Sequence, residues 1–141
     1  FMYAGELIHY HFSRTELFDK MYELDMNVIK LNGYILQNFE MRPSGVAKVV
    51  LSKEILSKFE VVPTEASLLV GTLGNVKGIK AWVFFIEEND QIRVRLRSKG
   101  PVINGIARNY NGGGHPLAAG ASIYHWDEAE KVMKELDDVC S

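Results

Sequence analysis

The stretch IKAWVFFIEENDQIRVRLRS, residues 79–98, decides how this sequence is expected to fold. Residues 79–86 are nearly all apolar, which is typical of a strand buried on both faces. After a polar connection at 87–90, apolar residues alternate with three arginines, Arg93, Arg95 and Arg97. Strict alternation indicates a strand with one buried face and one hydrated face. The stretch therefore predicts a β-hairpin that presents arginines on one side.

A long helix is predicted upstream of the hairpin. Ser13-Arg14-Thr15-Glu16 has the pattern of a capping box, in which the serine oxygen accepts from an early helix amide and the glutamate returns to the cap. Apolar residues then recur at alternating spacings of four and three, which lays one stripe along a helix of about five to six turns. The stripe consists of Leu17, Met21, Leu24, Val28, Leu31 and Ile35.

Shorter elements are predicted on either side of the hairpin. Val46–Leu51 is β-branched and mostly apolar, as expected of a buried strand, and Ser52 and Thr64 are expected to cap two short helices. Downstream, the sequence favours a helix over 102–110, an extended segment over 119–124 and an acidic amphipathic helix over 127–139. Helices that alternate with at least four strands indicate an α/β or α+β domain, with a mixed sheet covered by helices and a long N-terminal helix in front.

Composition narrows the class of protein. A length of 141 residues suits one compact core, and a single cysteine, Cys140, excludes an internal disulfide and is typical of a reducing, cytoplasmic setting. No apolar run is long enough to span a membrane, so no membrane partner is expected. The net charge of −2 conceals an uneven distribution, because no acidic residue lies between Asp90 and Asp127 while the last helix is strongly acidic.

The most unusual local feature is RNYNGGGHPLAAGA, residues 108–121. Three consecutive glycines inside the acid-free segment suggest a loop whose backbone amides approach a phosphate, with arginines as clamps. The alternatives stay open: Asn111-Gly112 could simply end the preceding helix, and alternating arginines often form only a hydrated face. His115 follows the glycines directly and is expected to be exposed, where its charge would respond to a phosphate.

Motifs for catalysis are missing from the sequence. It contains no Gly-x-x-x-x-Gly-Lys loop, Gly-x-Ser-x-Gly elbow, His-Glu-x-x-His or Cys-x-x-Cys. His9 and His11 are spaced for chelation but lack an acidic or cysteine cluster, so no metal or other cofactor is expected in this chain. Taken alone, the chain is expected to bind a ligand and not to turn it over.

The segment RVRLRSKGPVINGIARNYNGGGHPLAAGA, residues 93–121, resembles the C-terminal, DHH-associated domain of DHH-family phosphoesterases. In that family an Arg-Ser strand end precedes a GGGH loop followed by Ala-Ala-Gly. Within the family, GIKAWVFFIEENDQIRVRLRSKGPVIN, residues 78–104, is most similar to bacterial nanoRNase/pAp phosphatases, which are bifunctional oligoribonucleases. The resemblance extends from about Ser13 to the C-terminus.

The resemblance implies a division of the chain and of the chemistry. Residues 1–40 would be a connecting segment and helix from a missing N-terminal DHH domain, and 41–141 the DHH-associated substrate-binding domain. That missing domain would hold Mn²⁺ and would be a partner of this one, since no Asp-His-His motif occurs here. His115 would hydrogen-bond the scissile phosphate as the catalytic residue. The substrate-binding residues would be Arg97, Ser98, Lys99, Asn104, Gly112, Gly113, Gly114 and His115.

The function that the resemblance implies is substrate binding within a manganese-dependent phosphoesterase. Its substrates would be short single-stranded RNA and phosphorylated nucleotides such as 3'-phosphoadenosine 5'-phosphate (pAp). The longer parent protein would be the enzyme, while this chain lacks the metal-binding catalytic motifs. Two alternatives remain: a stand-alone nucleotide or RNA binding module without catalysis, and the equivalent domain of a cyclic-dinucleotide phosphodiesterase or a RecJ-like exonuclease.

Overall fold

The computed structural model describes residues 24–141, and the capping box at Ser13–Glu16, with His9 and His11, lies outside this range. The first described helix is α1, Met26–Asn38, and Val28, Leu31 and Ile35 on its predicted stripe are buried. The expectation of one helix running through Leu24 is wrong, because Leu24 is 36% exposed and Asp25 has extended backbone angles, φ −62° and ψ 150°.

A six-stranded mixed sheet forms the centre of the fold, which confirms the predicted α/β class. Its strands are β1 (Glu40–Met41), β2 (Val46–Leu51), β3 (Ala81–Glu87), β4 (Ile92–Ser98), β5 (Gly113–His115) and β6 (Ala118–Ile123). Their spatial order is β1-β2-β3-β4-β6-β5, and β2 with β3 is the parallel pair among otherwise antiparallel neighbours. The predicted hairpin is β3–β4, and all of β3 from Ala81 to Ile86 is buried.

The crossover from β2 to β3 differs in detail from the prediction. It contains α2 (Lys53–Lys58), α3 (Pro63–Ala66) and a 3₁₀ helix, Ser67–Asn75. Ser52 caps α2 as expected, its side chain accepting from the Ile55 amide at 3.3 Å. Thr64 is not the cap of α3; the chain turns into that helix at Val62, whose amide donates to the Glu65 carboxylate at 3.1 Å.

The two faces of the sheet carry separate cores. One core lies under α4 (Asn104–Arg108) and α5 (Asp127–Cys140) and takes in residues of β3, β4 and β6. The other lies under α1, α2, α3 and the 3₁₀ helix and takes in residues of β2 and β3. This second core includes no residue of β4, β5 or β6. That half of the sheet face is therefore the one on which the arginines of β4 lie.

Candidate functional site

The three arginines of β4 are half-buried on one face of the strand, while Ile92, Val94 and Leu96 are buried on the other. Strand pairing places Arg97 opposite Ala118 and Arg95 opposite Gly120. Pairing of β6 with the edge strand β5 then places Ala118 opposite His115 and Gly120 opposite Gly113. Laterally paired residues share a face, so Arg97 and His115 lie on the same face, about 10 Å apart across two strand spacings. We call this surface of β4, β6 and β5 the open face.

Charge on the open face is unevenly paired. Arg93 Nε donates to Glu88 Oε2 at 3.0 Å, and its charge is thereby neutralised locally. Burial raises the pKa of Glu88, but the hydrogen bonds from Arg93 and Gln91 outweigh it and the pKa is lowered. Arg95 and Arg97 form no ion pair within residues 24–141. The net positive charge of the face therefore lies toward its Arg97 end.

Arg95 is absent from the predicted substrate-binding residues, yet it also lies on the open face. Its Nε is buried and has no hydrogen-bond partner within residues 24–141. Burial, followed by repulsion from Arg93 and Arg97, lowers its pKa, although an arginine remains protonated. Its Nη1 lies 3.1 Å from the position that a Cβ on Gly120 would occupy. Gly120 is the residue in the sequence that relates to Arg95, because its lack of a side chain leaves room for the guanidinium. That relation depends on the pairing of β4 with β6, which the sequence does not reveal.

His115 is exposed, as predicted, at the end of β5. Its Nδ1 accepts a hydrogen bond from the Leu117 amide at 3.2 Å. A ring nitrogen that accepts a hydrogen bond carries no proton, so the hydrogen of the neutral imidazole lies on Nε2. This hydrogen bond leaves Nε2 as the ring nitrogen that can donate to a ligand.

The three glycines before His115 differ in whether packing requires a glycine at that position. A Cβ on Gly112 would lie 2.0 Å from the Gly120 carbonyl oxygen, and Gly114 has φ +138° with a Cβ position 2.9 Å from the Ala118 oxygen. Both glycines are therefore required by packing against β6. Gly113 alone has room, since the nearest atom to its Cβ position is Arg108 Cγ at 3.9 Å.

The helix-ending role left open for Asn111-Gly112 is visible in the backbone. Asn111 has φ 62°, in the left-handed region that commonly ends helices. The Gly112 amide donates to the Ala107 carbonyl at 3.0 Å. Packing and helix termination thus account for glycine at position 112, whereas neither accounts for glycine at position 113.

The other predicted site residues form hydrogen bonds within the fold. Asn104 Nδ2 donates to the Gly114 carbonyl at 3.1 Å, which ties α4 to β5. Ser98 is 9% exposed, and its hydroxyl donates to the Pro101 carbonyl and accepts from the Gly100 amide. Lys99 is exposed, with its ammonium donating to the Val76 carbonyl at 2.8 Å. Asn104 and Ser98 are thus engaged in shaping the loop and the strand end, whereas Arg97 and His115 face outward together.

A cavity of about 650 Å³ lies elsewhere, between α2, α3 and the β3–β4 connection. Its lining includes Glu87, Glu88 and Asp90, so its charge disfavours a phosphate. It also lies at the Arg93 end of β4, away from Arg97 and His115. The electrostatics therefore favour the open face over this cavity as a site for an anion.

Residues 24–141 contain no cluster of three or more His, Cys, Asp and Glu side chains suited to hold a metal ion. Within the same range, no helix combines the length and apolar character needed to cross a bilayer. The described residues therefore do not fit the ligand set that Mn²⁺ would require, and no metal chemistry is assigned to them.

The fold and the site define a mixed-sheet α/β domain with a cationic open face and a glycine loop at its edge. Residues 45–141 match the DHHA1 domain, and the chain belongs to this family. It is 62% identical over 138 residues to the bifunctional oligoribonuclease and PAP phosphatase NrnA of Bacillus subtilis, covering 98% of this chain and 44% of that protein. The chain thus spans less than half the length of this relative.

Two solved structures extend the comparison. An exopolyphosphatase-related protein from Bacteroides fragilis superposes with a TM-score of 0.80 at 26% identity, over 95% of this chain and 43% of that one. A pGpG-specific phosphodiesterase from Vibrio gives a TM-score of 0.59 at 15% identity, over 81% of this chain and 38% of that one. The second likeness concerns the fold alone.

Proposed function

We propose that this chain is the substrate-binding part of a phosphoesterase that acts on short RNA oligonucleotides and on pAp. The observation that carries the proposal is the strand register that brings Arg95, Arg97 and His115 onto one open face. The 62% identity to a protein named for these two substrates supports the choice of ligand. The Mn²⁺ that such a reaction would use belongs, in this proposal, to a DHH domain outside this chain.

Each group on the open face has a role in the proposal. Arg97 and Arg95 hold phosphate oxygens, because a guanidinium without a carboxylate partner can form two parallel charge-assisted hydrogen bonds to an anion. Gly113 leaves space for a phosphate to approach the backbone, and Lys99 adds positive charge at the strand end. Ser98 and Asn104 support these groups from within the fold, a narrower role than direct contact with substrate.

His115 is assigned the chemical role. Its Nε2 hydrogen would donate to the phosphate, on which negative charge grows as the phosphoester bond is attacked. A donor fixed before the reaction stabilises that developing charge more than it stabilises the bound substrate. The Leu117 amide at Nδ1 keeps the imidazole in the required tautomer.

The test is titration of the chain with pAp by calorimetry, comparing Arg97→Ala and Arg95→Ala with Arg93→Ala. Loss of Arg97 or Arg95 should weaken binding about 10- to 100-fold, because a hydrogen bond to a charged group contributes about 1.5–3 kcal/mol. Arg93→Ala should change the affinity little, since Glu88 already pairs with it. Arg97→Lys retains the charge without the planar fork and should bind with intermediate affinity.

The outcomes separate the alternatives. Equal losses at all three positions, abolished together by added salt, would mean a diffuse electrostatic surface in place of a site. Tighter binding of pGpG than of pAp would favour the cyclic-dinucleotide branch. Absence of saturable binding to either nucleotide would overturn the proposal.

A further inference from the structure

Glu135 connects the acidic helix α5 to the segment that leads into the glycine loop. One carboxylate oxygen accepts from Asn109 Nδ2 at 2.9 Å, and the other accepts from the Tyr110 hydroxyl. Burial, the hydrogen bond to Glu135 and the charge of Glu135 together raise the pKa of Tyr110 to about 12. Both donors precede Asn111 and Gly112 directly. A single side chain therefore anchors two consecutive residues at the entrance of the loop.

The backbone of the same segment is anchored to two other elements. The Tyr110 carbonyl accepts from the Ser122 amide of β6 at 2.9 Å. The Gly112 amide donates to the Ala107 carbonyl of α4. Between these two bonds, Asn111 adopts the left-handed conformation that turns the chain toward β5. The direction in which Gly113 to His115 leave this turn thus depends on how Asn109 and Tyr110 are held.

We propose that Glu135 is a positioning residue, which sets the course of the loop at 112–115 through Asn109 and Tyr110 and thereby the place of the His115 ring on the open face. The inference rests on the proposed function for the role of His115, but not for the position of the loop. A carboxylate suits this task because hydrogen bonds to a charged acceptor are stronger than those between neutral groups. Glu135 itself lies on α5, on the side of the sheet opposite the open face.

The same helix offers a matched control two residues later. Asp137 also accepts two side-chain hydrogen bonds, from Arg42 Nη1 at 2.8 Å and from the Ser44 hydroxyl at 2.6 Å. These partners lie at the turn between β1 and β2, at the far side of the sheet from β5. Replacing either carboxylate removes one link between α5 and a turn. Only Glu135 links to the glycine loop.

The experiment compares Glu135→Gln with Asp137→Asn by amide hydrogen exchange and by titration with pAp. Both variants should lose a similar amount of stability. Only Glu135→Gln should speed exchange, by about tenfold, at those amides of residues 113–115 that bond to β6, as expected when a local opening loses one charge-assisted restraint. The amides of this edge strand that point to solvent are expected to exchange fast in every variant. Its affinity for pAp should fall about threefold to tenfold. Tyr110→Phe, which removes one of the two links and keeps the ring, should lie between wild type and Glu135→Gln.

Similar exchange at residues 113–115 in Glu135→Gln and Asp137→Asn would overturn the inference, because Glu135 would then act only on global stability. The exchange measurement needs no ligand. If the wild-type chain does not bind pAp, the proposed function fails while the exchange measurement still decides the role of Glu135. Normal loop exchange with weakened pAp binding would also contradict positioning.

Discussion

One face of the central sheet is divided into a covered half, on β2 and β3, and the open face, on β4, β6 and β5, although the same rows of laterally paired residues run through both. One row runs from Ala47 and Trp82, which are buried, through Arg97 and Ala118 to His115, which is exposed. The covered half lies under helices, and its core ends at β3. The difference arises from the chain's path after β4, which places α4 and α5 on the opposite side of the sheet.

The division shows which residues serve the fold and which are free for a ligand. Trp82 is 5% exposed, and its ring nitrogen donates to the Val70 carbonyl at 2.6 Å, so even its polar atom is satisfied internally. Within residues 24–141, the side chain of its neighbour across the strand pair, Arg97, donates only to the carbonyl of Leu96, at 3.1 Å. Ala118 and Gly120 on β6 are small residues, so the neighbouring arginine side chains extend above the surface of that strand. Packing of the fold therefore does not require the arginine side chains of the open face, which are available to bind a ligand.

The largest loss of stability is expected from Phe84→Ala, on the covered half of the sheet face. Phe84 is fully buried and pairs across the strands with Arg95. Its truncation should lower the free energy of unfolding by about 3–5 kcal/mol, the usual cost of a phenylalanine-sized cavity. Denaturant melts would measure this, with pAp affinity determined on the fraction that remains folded. A large loss of affinity without loss of stability would contradict the separation of the two halves.

A smaller difference in stability is expected within the glycine loop, between Gly112→Ala and Gly113→Ala. The first places a methyl group 2.0 Å from the Gly120 oxygen, so the backbone must shift, at a cost of about 1–3 kcal/mol. The second has space for the methyl group, so thermal melts should show a change within about 0.5 kcal/mol of zero. If Gly113 admits the phosphate, its variant should nevertheless bind pAp more weakly. Equal destabilisation by the two substitutions would refute this account of the loop.

Sequence reasoning recovered the parts of the fold that depend on local pattern. The alternation at Arg93, Arg95 and Arg97 predicted the half-exposed strand, and the acidic periodicity after Asp127 predicted α5. Local pattern could not give the order β4-β6-β5, because that order depends on which strands meet in space. For the same reason the sequence suggests that Gly112 approaches a phosphate, whereas the structure places it against the backbone of β6.

Two further differences from the sequence predictions follow from tertiary packing. The apolar spacing continues through Leu24, but Asp25 is extended and α1 begins only at Met26. Gly71 and Gly74 are typical of a loop, yet Ser67–Asn75 forms one 3₁₀ helix with Leu69, Val70 and Leu73 buried. In both cases tertiary contacts decide which apolar residues are buried, and neither the apolar spacing nor the glycines predict it.

An equally small effect on stability, and the most informative one, is expected from His115→Ala. The ring is exposed and its one internal hydrogen bond is with the Leu117 amide, which is also at the surface, so water can replace it. The change in the free energy of unfolding should therefore stay within about 0.5 kcal/mol. His125→Ala is the matched control, since His125 is an exposed histidine in the turn between β6 and α5, away from the glycine loop.

The same pair of variants tests the chemical role of His115 in a protein that joins this chain to the part that its Bacillus relative has in addition. Loss of a donor aimed at developing charge should lower kcat by roughly 10²-fold with a modest change in KM, as found when single oxyanion donors are removed. His125→Ala should leave both constants unchanged. If His115→Ala raises KM and leaves kcat intact, His115 only binds substrate; if it lowers the melting temperature, it belongs with the residues that hold the fold.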